Sequence, residues 1–99
     1  SKIVKDNNMK GDLIWAAIKK GDLIPASKQS AIITYLTANK PIIISVGKSR
    51  FTGSGHFMVL TGVNADGTLA LNDPNSGFTS ATQDELWGLL KYAVYVHPL

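Results

Sequence analysis

Two residues in this 99-residue chain have the types for acid–base work at a workable spacing: His56 in "TGSGHFMVLTGV" and Asp73 in "LALNDPNSG". A carboxylate bonded to an imidazole fixes its tautomer and stabilises its protonated form, the orienting role that an acidic residue plays for the histidine base of triad hydrolases. Both residues lie on expected strands flanking Asp66-Gly67, a hairpin signal. Paired residues of an antiparallel hairpin share a face, so a connection of even length is expected to unite them. With Asp66-Gly67 alone as the loop, His56 would lie roughly 13 Å from Asp73, at about 3.3 Å per residue. A four-residue connection sets Met58 opposite Asp73, and a six-residue one sets His56 there, with Cβ atoms about 5 Å apart. Both residues also have plain structural readings, as the start of a strand and the opening of an Asp-Pro turn.

A base needs a nucleophile to serve. The chain has no cysteine, which removes thiol nucleophiles, thiolate zinc sites and disulfides together. Ser54 sits in "TGSGH", but a nucleophile elbow requires glycine at position 52, where Thr52 stands, and a helix rather than a strand after the serine. "DPNSG" breaks the calcium-loop spacing, and His56 with His97 falls short of a zinc site, so no metal and no cofactor are expected.

Composition sets the frame for these residues. Ninety-nine residues with 44% hydrophobic and 17% charged content fit one small globular domain over 1–99. The net charge is +3, but the ten basic residues are scattered along the chain rather than gathered into a stripe, which argues against a nucleic-acid partner. No apolar run approaches the roughly 20 residues that span a bilayer, so membrane insertion is not expected.

The elements that must position the pair follow from periodicity. Asp12 is read as the N-cap of a short helix, "DLIWAAIKK", ended by Gly21, and Ser27 as the cap of a second, "SKQSAIITYLTAN", ended by Asn39 and Pro41. "PIIISVG" reads as a strand, "KSRFTGSG" as a polar loop, and "HFMVLTGVN" and "LALND" as the two arms of the hairpin. Thr82 and Glu85 form a capping box before "QDELWGLLK", and "YAVYVHP" closes the chain as a strand. Trp15, Trp87, Tyr35, Phe57, Tyr92 and Tyr95 are expected to fill core. Helices set apart from an antiparallel sheet make the fold α+β.

The segment "KPIIISVGKSRFTGSGHFMVLTGVNADGTLALNDPNSG" resembles the C-terminal half of the papain-like cysteine peptidases of family thirty-nine. That group includes leader peptidases fused to bacteriocin exporters and bacterial secreted or cell-envelope relatives. Its "KPVI" strand, histidine-bearing "GGHF-V-L-G" strand, "DG" hairpin and "V-DP-" strand fall on Lys40 to Ile43, Gly55 to Gly62, Asp66 to Gly67 and Leu71 to Pro74. "GDLIWAAIKKGDLI" is similar to a helix that precedes them, so the match runs over roughly 11–96.

The resemblance implies a partial papain-like fold in which this chain is the C-terminal part of a longer domain. It implies His56 as the general base toward a cysteine and Asp73 as its orienter. In the family that cysteine opens a helix in the N-terminal half, behind a glutamine that stabilises the oxyanion, and Gln29 and Gln83 stand in the wrong context to replace it. The implied partners are a peptide or protein substrate and the missing N-terminal half, and the implied location is extracellular or at the cell envelope. Ser54 and Gly55 would border the cleft, and Phe78 would pack in the core or at the rim, or else line a substrate groove. A sheet without its N-terminal half is expected to expose an apolar face or to dimerise through it. The alternative is a non-catalytic peptide- or cell-wall-binding module on the same fold; without a cysteine, the isolated chain is expected not to hydrolyse peptides.

Overall fold

The computed structural model describes residues 9–73 and 77–98, with the backbone alone at Ser54. In chain order these form β1 (Met9–Ala16), α1 (Ala26–Thr37), β2 (Ile42–Ser49), β3 (Thr52–Val63), β4 (Leu69–Asn72), β5 (Ser80–Ala81), α2 (Gln83–Leu89) and β6 (Leu90–Pro98). The strands make one antiparallel sheet in the order β1-β6-β2-β3-β4-β5, and with two helices the fold is α+β.

The β-branched run of β2 lies inside the sheet because alternate residues can bury on one face. Ile42, Ile44 and Val46 are buried there opposite Leu60, Met58 and His56 of β3. Ile32 and Leu36 of α1 and Leu86 and Trp87 of α2 join them in one cluster, so both helices cover this inner face. Each fully buried Ile or Leu contributes about 1.5–3 kcal/mol. On the outer face a row crosses four strands from Leu13 through Val94 and Ile43 to Val59, ending at Asn72 of β4. No helix covers that row among the described residues.

α1 begins at Pro25, with no side-chain cap, so Ser27 lies inside the helix rather than capping it. Its end is as expected: Asn39 is left-handed at φ 61°, and the Asn39 and Lys40 N–H groups donate to the Leu36 and Tyr35 carbonyls. These bonds satisfy carbonyls that the helix end would otherwise orphan.

The segment expected as a first helix is instead β1. So short a helix is marginal alone, whereas the edge of β6 offers it a full ladder. A bulge between Leu13 and Trp15 turns both Ile14 and Trp15 toward the core, and Asp12 caps nothing; its carboxylate accepts from His97 Nε2 at 2.9 Å. The expected polar loop "KSRFTGSG" is also largely strand, with Arg50 and Phe51 alone between paired Ser49 and Thr52. Phe57, expected in the core, is 64% exposed, because it neighbours inward-facing His56 and therefore points outward.

Candidate active site

His56 and Asp73 are brought together. The inner-face row of β3 runs Leu60, Met58, His56, so the imidazole stands at the end of a buried apolar row. Asp73 follows directly after β4, whose last ladder pair is Asn72 with Val59. The register therefore carries Asp73 beside Met58 and one diagonal step from His56, within reach of long side chains. His56 Nε2 lies 2.7 Å from Asp73 Oδ1, with the histidine side chain 17% exposed and that of Asp73 fully buried.

The route to this contact corrects the parity expectation. Five residues, Asn64 to Thr68, separate the paired Val63 and Leu69, an odd connection that in a regular ladder would put His56 and Asp73 on opposite faces. An extra residue between Leu60 and Gly62 shifts the register, so that Leu60 opposes Leu71 and the two side chains share the inner face. Thr61 is that unpaired residue.

The turn explains the odd length. Asn64 N–H donates to Thr68 C=O at 2.8 Å, Gly67 N–H donates to Asn64 C=O, and Gly67 has φ +86°, which favours glycine there. Asp66 Oδ1 accepts from the Thr68 hydroxyl and N–H, which hold the Asp66 carboxyl below the ordinary aspartate range.

Chemistry distinguishes the two histidines. A carboxylate only accepts, so Asp73 fixes a proton on His56 Nε2 and leaves Nδ1 as the nitrogen with a lone pair. Nδ1 has no partner among the described residues, so it can take a proton from a neighbouring acid. His97 also meets a carboxylate, but its Nδ1 lies 2.9 Å from Pro98 C=O as its Nε2 bonds Asp12, and its ring stacks on Tyr95 at 4.9 Å. With both nitrogens against acceptors, His97 ties β1 to β6 and has no open base.

Of the other expected site residues, Gly55 is exposed on β3 opposite Gly47, its carbonyl accepting from the Thr52 hydroxyl at 3.2 Å. The side chain of Ser54 lies outside the described residues. Phe78 is half-buried, edge-on to Phe51 with centroids 5.3 Å apart, and does not meet His56 in the contacts described. The turn at Pro74, Asn75 and Ser76 lies outside the described residues.

Sequence reasoning missed Arg50. Its guanidinium lies 4.4 Å and 4.3 Å from the ring centroids of Phe51 and Phe78. Its Nε and Nη2 donate to Glu85 Oε2 and Oε1 at 2.6 and 2.8 Å. The paired guanidinium holds the Glu85 carboxyl below the usual glutamate range, and the same bonds raise Arg50. No local pattern marks this pair, because its members stand 35 residues apart.

The chain is an antiparallel α+β domain that brings a histidine and a carboxylate together at the open end of one hairpin. The chain belongs to the Peptidase_C39 like family, whose model matches residues 10–94, and it is thus a peptidase-type domain. No curated protein and no solved structure matches it significantly.

Proposed function

We propose that this chain is the sheet-bearing part of a papain-like cysteine peptidase, with the cysteine supplied from outside these 99 residues. The observation that carries the reading is the 2.7 Å bond from His56 Nε2 to a fully buried Asp73 carboxylate, with no partner on Nδ1 among the described residues. In this mechanism Nδ1 takes the thiol proton, Asp73 stabilises the resulting imidazolium, and the thiolate attacks the peptide carbonyl. The imidazolium then returns the proton to the leaving amine, and water releases the acyl group. Gly55 and Ser54 border the cleft, Phe78 shapes its rim, and the cysteine-bearing half covers apolar sheet surface. We propose a location outside the cell or at its envelope, on the resemblance to that family alone.

The absence of cysteine favours a second reading, a domain that holds peptide or cell-wall polymer without cutting it. The gene sequence upstream of Ser1 separates the two. A Gln-x-x-x-x-x-Cys-Gly stretch there supports hydrolysis, and the joined polypeptide should then cleave a peptide library, with loss of at least a hundredfold in His56→Ala. Absence of the stretch, or cleavage indifferent to His56, overturns the peptidase reading.

A further inference from the structure

Asp73 presents a mechanical problem. It stands one residue beyond the last β3–β4 ladder pair, so the sheet does not hold its backbone directly. Part of its support comes from the residues at 77–79. Gly77 N–H donates to the Asp73 carbonyl at 2.9 Å, and Leu71 N–H donates to Thr79 C=O at 3.0 Å. Between these two fastenings lies Phe78, whose ring packs on Phe51 and on the guanidinium of Arg50.

Arg50 comes from the other side of the site. It sits in the β2–β3 turn, six residues before His56 and just ahead of the strand that carries the imidazole. Its fork reaches Glu85 in the first turn of α2, and Nη2 lies 3.4 Å from the Ser80 carbonyl of β5. One side chain therefore spans from the His56 strand to the segment that follows Asp73, gripping that segment by ring, carbonyl and carboxylate. A bidentate guanidinium–carboxylate pair fixes orientation as well as distance, which a single lysine charge does not.

We propose that Arg50 and Glu85 are positioning residues for the His56–Asp73 pair, clamping the return limb at Phe78 so that the carboxylate stays in register with the imidazole. The role deepens the reading of His56 and Asp73 as a working pair and rests on it. Neither residue touches the imidazole; both act through Phe78 and the limb it anchors.

The test is nuclear magnetic resonance on the whole chain, following the ring proton on His56 Nε2, identified by its absence in His56→Gln. In the parent this proton is expected to be protected from exchange by its bond to Asp73. Arg50→Met is expected to speed its exchange at least tenfold, and Glu85→Gln, which keeps a neutral acceptor, to speed it by a smaller factor. Amides of β1 and α1, remote from the clamp, keep the parent's protection in both variants. Ring-proton exchange at the parent's rate in both variants overturns the proposal. So does loss of protection throughout β1 and α1 in both, since that would be general loosening rather than positioning. The readout needs no cysteine and no turnover: a joined polypeptide that fails to cleave peptides sinks the peptidase reading and leaves this result standing.

Discussion

Deleting the imidazole at position 56 removes one partner from a carboxylate that has no contact with solvent, whereas altering the carboxylate to an amide leaves an oxygen that still accepts from Nε2. The two changes are therefore unequal. His56→Ala is expected to cost about 1–3 kcal/mol, the range for a buried polar group that loses a hydrogen-bond partner. Asp73→Asn should cost about 1 kcal/mol, as for a weakened hydrogen bond. Urea denaturation of both variants checks this, and equal costs would mean that the imidazole adds nothing to what already holds the Asp73 carboxylate. His97→Ala makes a contrast, since Asp12 is partly exposed and can recover water.

At the scale of elements, the bulge at Thr61 reconciles an odd turn with a shared face. Removing Thr61 makes the ladder regular without moving either flanking register, so the variant is expected to keep the protected His56 ring proton. Removing Val59, a paired residue, shifts His56 to the other face and should abolish that signal in the same spectrum. Acid tests the Arg50–Glu85 pair. Because the folded Glu85 carboxyl sits below its ordinary range, its contribution is complete above that range and disappears as pH falls through the lowered value. The stability difference between the parent and Glu85→Gln should hold steady above about pH 5 and close below it. In urea titrations it should stay within about 1 kcal/mol, because the pair is partly exposed. Much of this level was legible in the sequence. The β-branched run 42–46, the Asn39 stop and the Thr82 cap are local signals, and Thr82 Oγ1 does accept from Glu85 N–H at 3.2 Å. The reciprocal half of that box was not legible, since Glu85 turns to Arg50 instead. Nor was β1, whose Leu-Ile-Trp run fits a helical face and becomes strand because β6 offers it a ladder. His56 and Asp73 could be named from type and spacing, but the odd turn and its compensating bulge leave no mark in composition.

For the whole molecule, the one-sided placement of the helices leaves the outer face of the sheet with large apolar side chains. Leu13 and Phe57 are 60% and 64% exposed there, and Ile43, Phe57, Val59 and Asn72 line a groove of about 300 Å³. The isolated chain is expected to self-associate with rising concentration, and Phe57→Ser to shift it toward monomer, as read by size exclusion with light scattering. A parent that stays monomeric at high concentration contradicts this. The β1–β6 ladder sets Met9 opposite Pro98, near the two ends of the described chain. Forming it closes the loop that runs from Met9 to Pro98, an entropic cost on the order of 4 kcal/mol. That edge should therefore be the last to assemble, and its closure the slow step in refolding. Circular permutation makes the point directly: a short turn from Pro98 back to Met9 converts the most distant pairing into a local hairpin, so a permutant reopened between Ala65 and Asp66 should refold faster while its sheet keeps the same order.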